Sequence, residues 1–312
     1  MSLWILLVVI GQFLTASVAL VDKYVVTSRT IASPISYAFF VGILSSLTVI
    51  LFLFSWVEIP FLDVAIPAFV NISVPTIFVA IVALLAGAVF IGAIFSLFSA
   101  LKTSDASDVI PIVGAGSAIA SLLLAFFLLD ENLSVNFLWG FALLVVGMLA
   151  VSQFRLTYKT TLFAIASGAL FGVHFVAIKI LFNETLFDNA FFWSRLGIAL
   201  SALALLIVPS VRQAIFSRRG CVGSAERAGA FVLGNKIVGG VASFFLLKAI
   251  ELGSVAVVQA LGGLQFVFLL VFAAFFGRKL PIDCGEHCRR KDLIQKIVST
   301  SIIVIGVALL FL

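Results

Sequence analysis

The chain has 312 residues, of which 63% are hydrophobic and 33 are Phe, while only 11% are charged; its formal net charge is +5. Soluble domains carry about a quarter charged residues, so the composition excludes a soluble domain and reads as an integral membrane protein.

A helix needs about 20 mostly apolar residues to cross the hydrocarbon of a bilayer. In chain order, apolar runs at 3–21, 31–54, 75–101, 106–129, 134–154, 161–182, 189–209, 228–249, 254–277 and 293–312 predict ten spans. The first, "LWILLVVIGQFLTASVALV", has no basic n-region and no small-x-small site before "DKY". It therefore reads as span 1, with Gln12 at its centre, and not as a signal peptide. Span 4 carries Gly114, Gly116, Ser117 and Ser121 on one thinned face, and span 6 pairs Gly168 with Gly172 around a central His174. Small residues at such spacing let helices approach closely. Arg195 falls nearer the end of span 7, where it reads as an anchor reaching the headgroups. Asn235 and Lys236 lie near the centre of span 8, followed by Gly239 and Gly240, and Gln265 is central in span 9. The connections are short, so no soluble domain is hidden between the spans.

Orientation follows from Lys and Arg in short loops. The connections after spans 1, 3, 5, 7 and 9, with Lys296 just inside span 10, hold 15 basic residues, among them Lys23, Arg155, Arg218 and Arg289, against two on the other side, Lys179 and Lys248, just inside the ends of spans 6 and 8. Acidic residues divide evenly, so the asymmetry belongs to the cations. The basic side is predicted cytoplasmic and both termini outside, in a multi-pass protein of the cell membrane. The sequons at Asn71, Asn132 and Asn183 all fall on the non-basic side.

The halves repeat. "LLLAFFLLDENLS" (122–134) aligns with "LVFAAFFGRKLP" (270–281), and "LLVVGMLA" (143–150) with "IIVIGVAL" (302–309). Five spans per half turn the second copy upside down, and the change of loop charge between the halves agrees. The expected fold class is all-α integral membrane, ten transmembrane helices as two inverted five-helix repeats, 1–156 and 157–312. Inverted repeats are a signature of secondary transporters, with the site near the midplane.

With "ALKTSDASDVIPIVGAGSAIASLLLAFFLLDENLS" (100–134) and its counterpart "AIELGSVAVVQALGGLQFVFLLVFAAFFGRKL" (249–280), the chain resembles the drug/metabolite transporter superfamily, EamA type. Pro111, Glu131 and Gly147 match the family pattern in the first half; in the second, Ala260 replaces the proline and Gly277-Arg278-Lys279 the acidic turn. The resemblance implies a central cavity lined by spans 1, 3, 4, 6, 8 and 9. Family members more often have cytoplasmic termini; here the charge count is followed.

A charge at the bilayer centre costs about 2.5–3.5 kcal/mol even on insertion scales, so such a residue faces protein or water and marks a pathway. Gln12, His174, Asn235, Lys236 and Gln265 share one predicted depth and form the candidate solute site, each with a plainer reading as a helix-to-helix hydrogen bond. Phe95, Ser117, Ser121, Phe171, Phe175 and Phe266 are expected to wall it. No carboxylate lies at this depth, and where small multidrug-resistance relatives keep an acid in their first helix this chain has Gln12. A lysine among amides suits a carboxylate or phosphate on the solute.

Cys221, Cys284, His287 and Cys288 all fall in predicted cytoplasmic loops. They make a Cys3His complement for zinc, but without a standard zinc spacing, and reduced loop thiols are the expectation. No phosphate-binding Gly loop, nucleophile elbow or zinc-protease helix occurs, so neither an enzyme nor a cofactor is expected. The partners expected are a small organic solute and membrane lipid, with no nucleic acid. The function expected is a secondary-active or facilitative transporter of small organic metabolites, anionic or amino-acid-like, by alternating access. The alternative is a non-transporting receptor, lipid-handling or scaffold protein on the same fold.

Overall fold

A computed structural model describes residues 3–27, 33–56, 58–59, 64–104, 106–131, 134–152, 156–216, 225–276 and 290–310. Apart from one hairpin of two-residue strands, Glu58–Ile59 against Val64–Ala65, the regular structure is helical. The helices are α1 (Leu3–Thr27), α2 (Pro34–Ser46), α3 (Ile77–Leu101), α4 (Ala106–Leu128), α5 (Val135–Val151), α6 (Tyr158–Glu184) and α7 (Phe187–Ala204). They continue with α8 (Pro209–Phe216), α9 (Ala225–Leu252), α10 (Val255–Ala260), α11 (Leu264–Phe276) and α12 (Arg290–Leu309). Among the described residues five helical segments are long and apolar enough to cross a membrane: Pro34–Phe54, Ile77–Leu101, Asp108–Leu128, Tyr158–Glu184 and Phe187–Ile207. Shorter apolar helices run over Leu3–Ala19, Phe137–Val151, Val255–Leu269 and Ile294–Leu309. Large apolar side chains such as Ile77, Leu85, Phe127 and Trp139 point outward, as a membrane-embedded chain requires.

Local chemistry starts and stops these helices. Ser33, Thr76, Ser134, Thr157 and Ser254 each accept, through the side-chain oxygen, a backbone N–H three residues on, the N-cap that satisfies one orphan donor of the first turn. Pro34 follows its cap at the first helical position, where a missing N–H costs nothing. After α4 the chain reverses at Asp130, whose φ of 51° is left-handed, a conformation that Asp adopts more readily than most residues.

Three segments depart from the sequence expectation. The second half of predicted span 2, Leu47–Phe54, is a 3-10 helix. Predicted span 9 stays helical but changes type: α10 ends at Ala260, Leu261–Gly263 forms a 3-10 turn with right-handed backbone, and α11 resumes at Leu264, a break in the α pattern and not in the helix. Two adjacent glycines, each costing about 1 kcal/mol in a helix interior relative to Ala, account for the position of the break. The third is α8, a short helix opened by Pro209 and fastened by the Ser36 hydroxyl, which donates to the Ala214 carbonyl at 2.9 Å.

Packing runs through small residues. α6 lies against α3 and α4, α1 against α9 and α11, α7 against α2 and α3, α5 against α12, and α10 against α4. The α3–α7 crossing is the tightest: a Cβ added at Gly87 would stand 2.3 Å from the Gly197 carbonyl oxygen, and one at Gly197 would stand 2.2 Å from that of Ala83. Gly116 and Gly168 bring α4 to α6, and Gly140 and Gly306 bring α5 to α12.

Candidate functional site

The middle of the fold is built around one turn of α3, residues 83–87. His174, buried on α6, places Nδ1 at 2.9 Å from the Ala86 carbonyl oxygen. A helix carbonyl only accepts, so Nδ1 carries the hydrogen and the tautomer is set by this contact. The Phe90 and Phe175 rings pack at 5.0 and 5.2 Å from the imidazole. On the other flank of the same turn, Gly197 seats α7 on α3 and brings Arg195 inward two residues earlier.

Arg195 corrects the expectation of a headgroup anchor. It is the ninth of the 18 residues of α7 and is only 4% exposed. Its guanidinium lies over the Phe191 ring at 4.8 Å, Nη2 donates to the Ser243 hydroxyl of α9 at 2.9 Å, and Nε finds no hydrogen-bond partner among the described residues. Predicted span 7 started two residues late and ran on to Pro209, which pushed Arg195 off centre on paper. The proline that opens α8 was the available stop signal.

Lys236 lies partly buried on α9, with Nζ 5.4 Å from the centre of the Tyr37 ring of α2. Ser243, which holds Arg195, is seven residues further along α9. That spacing is close to two turns, so Lys236 and Ser243 share a helix face about 10 Å apart. Gly239 and Gly240 occupy the turn between them.

The amides of the predicted site divide. Asn235 is buried and donates through Nδ2 to the Val18 carbonyl of α1 at 3.3 Å. This ties α9 to α1, the plainer of its two readings. Gln12 is buried on α1, and its Nε2 comes within 3.8 Å of the position a Cβ would take at Gly262, so it faces the break between α10 and α11. Gln265 is partly buried one residue into α11. Gln259, which the sequence reading did not select, accepts from the Ser117 hydroxyl at 3.1 Å and joins α10 to α4 beside the same break.

The residues expected to wall the site fall into separate apolar clusters. Phe171 stacks on Phe175 at 6.3 Å, and Phe95 meets Phe163 at 6.4 Å. Phe266 is buried in another cluster, with Ala115 and Ala118 of α4, Leu144 and Met148 of α5 and Ile303 of α12. Ser121 is fully buried, donates to Ala118 of its own helix, and sits under Gly172 at the α4–α6 crossing, where its backbone nitrogen would be 2.9 Å from an added Cβ. That contact is with backbone and fixes the residue at 172 as glycine. Cys221, Cys284, His287 and Cys288 lie outside the described residues, among which there is no group of three or more metal-ligating side chains.

At the far end of α9 a second polar cluster closes the molecule. Lys179 of α6 donates to the carbonyls of Ile250, Glu251 and Gly253 at 2.8, 3.0 and 2.9 Å. Beside it Ser254 donates to the Glu131 carboxylate, joining the turn after α4 to the turn after α9. Lys248 pairs with Glu251 and lies over Phe187 at 4.3 Å. Both basic residues of the predicted outer side are thus engaged around one helix terminus.

No family model and no curated protein matches the chain. Among solved structures, one described only as "Crystal structure of protein" superposes with a TM-score of 0.66, covering 97% of this chain and 94% of that chain at 18% identity. The likeness is one of fold.

Proposed function

We propose that the chain is a carrier with ten membrane spans in two inverted five-helix repeats, 1–156 and 157–312, which moves a small organic metabolite bearing an anionic group across the cell membrane by alternating access. In this reading the basic loops face the cytoplasm and both termini lie outside. The observation that carries it is the break between α10 and α11 near the middle of the ninth apolar run, faced by Gln12. A stretch of 3-10 helix inside an α-helix often marks a functional hinge, and interrupted helices near the midplane are where carriers bind their solutes.

The packing pattern supports the repeat. Exchanging α1 with α6, α2 with α7, α3 with α9, α4 with α10 and α11, and α5 with α12 turns the α3–α6 contact into α9–α1 and the α4–α6 contact into α11–α1. The α2–α7, α4–α10 and α5–α12 contacts map onto themselves, and all of these pairs are in contact. Gly147 and Gly306, equivalent in the aligned segments, each pack on the opposite helix of the α5–α12 pair. Two related halves of this kind exchange conformations at low cost, which opens a central site to one side and then the other.

The charge of the site supports an anionic solute. Lys236 and Arg195 bring two cations to α9, and Arg195 has no carboxylate partner among the described residues. Amino acids and organic acids are the substrates to test first. Purified protein in liposomes is expected to move at least one labelled carboxylate or amino acid faster than protein-free vesicles. Lys236→Gln is expected to slow that flux about tenfold, the loss of one charged contact of about 1.4 kcal/mol. Unchanged flux in a folded Lys236→Gln protein removes the lysine from the site.

A further inference from the structure

Arg195 is no part of the solute site expected from the sequence, and none of the contacts among the described residues uses its Nε–H. Burying an uncompensated charge costs several kcal/mol, and a charged donor left without an acceptor adds to this. Phe191 covers one face of the guanidinium and Ser243 takes one hydrogen of Nη2, yet neither supplies negative charge. A merely structural cation at this depth is expected to carry an acidic partner, and the described residues offer none.

The chemistry of the free side is specific. Nε–H forms one half of the side-on edge of the guanidinium, and the near hydrogen of Nη2, the nitrogen that also donates to Ser243, forms the other half. That planar pair of parallel donors matches the two oxygens of a carboxylate. The Ser243 hydroxyl accepts from Nη2 and keeps its own hydrogen free to donate toward the same edge. Phe191 covers the guanidinium with apolar surface, and Phe90 and Phe175 do the same for the His174 ring.

We infer that Arg195 is the anion anchor of the carrier: its Nε edge, with Ser243, binds the carboxylate of the solute side-on, midway through the membrane. This rests on the transport reading above and moves the principal charge of the site from Lys236 to α7. A carboxylate is favoured over a phosphate because one unpaired monocation and one two-donor edge match a planar monoanion, whereas a phosphate dianion leaves charge and oxygens uncompensated.

The test is ligand-induced stabilisation of the full chain in detergent, followed by tryptophan fluorescence. The probes are acetate and benzoate, with acetamide and benzamide as neutral isosteres and inorganic phosphate as the competing anion. The expected result is a saturable rise in Tm of about 3 °C with a carboxylate, none with the amides, and none in Arg195→Gln. Arg195→Lys, which keeps the charge but loses the fork, is expected to weaken binding at least tenfold. A wild-type protein that responds to no carboxylate, that responds to phosphate alone, or whose response survives Arg195→Gln overturns the inference.

Should Arg195→Gln fail to fold, labelling of wild-type Arg195 by phenylglyoxal, read by mass spectrometry, decides the question. Benzoate is expected to slow it at least fivefold and benzamide not at all. Equal labelling overturns the inference, as does an Arg195 that the reagent never reaches, since benzoate is of similar size. Carboxylate binding without flux leaves the anchor standing and removes the carrier; flux indifferent to Arg195→Gln does the reverse.

Discussion

Gly197→Ala is expected to destabilise the protein by about 2 kcal/mol, although alanine is the better helix former. The substitution gains about 1 kcal/mol of helix propensity. Against that, its methyl group would stand 2.2 Å from the Ala83 carbonyl oxygen and 2.7 Å from its carbon. These are backbone atoms of a packed helix and have no side-chain rotamer through which to retreat. Overpacking of this kind costs about 1–3 kcal/mol, and contact with backbone puts it at the upper end. Gly234→Ala is the matched control, because nothing lies within 4 Å of the added carbon; there the propensity gain stands alone and the sign reverses. Gly87→Ala strikes the same crossing from the α3 side, so the double variant is expected to cost less than the sum of the two singles, the first substitution having already parted the helices. Thermal unfolding of the purified variants in detergent measures all four.

The second large effect is expected at Lys179. The last four carbonyls of a helix have no partner within it, and at the end of α9 the Lys179 ammonium accepts that task for Ile250, Glu251 and the following Gly253 at 2.8–3.0 Å. A cation at a helix C-terminus is favourable for the dipole as well, and hydrogen bonds to charged groups contribute about 1.5–3 kcal/mol. Lys179→Met keeps the length of the side chain and removes the donors, and a loss of about 2–3 kcal/mol is expected. Lys248→Met removes a pair within one helix turn with Glu251 and a cation over the Phe187 ring, together worth about 1 kcal/mol. The two lysines have the same formal charge and lie at the same end of the molecule; unfolding of the two variants is expected to separate them by their geometry.

These cases show what was legible in the sequence. Each apolar run of about 20 residues has a helical segment within it, because backbone groups in an apolar solvent must pair internally whatever the side chains are. The break at Leu261–Gly263 escaped that reading, since hydropathy does not register backbone conformation and the run stays apolar throughout. Gly262-Gly263 was the local signal. His174 and Lys236 were selected by depth alone, and that criterion found polar residues without saying what they face. It selected Asn235, which donates to the Val18 carbonyl of α1, and it grouped Phe266 with Phe171, which belong to different apolar clusters. Arg195 was lost to a boundary error of a few residues, enough to turn a central guanidinium into one that reaches the headgroups. Ser121 is fully buried and its backbone meets Gly172 of α6, a close approach that depth in the sequence does not register.

The most direct measurement of the central claim is solute counterflow in proteoliposomes. Vesicles holding the full chain are loaded with an unlabelled carboxylate and diluted into a trace of the same compound carrying a label. A carrier that alternates around one central anion site returns reoriented after each release, so the internal solute is expected to accelerate labelled entry several-fold and to produce a transient overshoot above equilibrium. Labelled entry that ignores the internal solute, or that matches protein-free vesicles for every carboxylate and amino acid tried, contradicts the account.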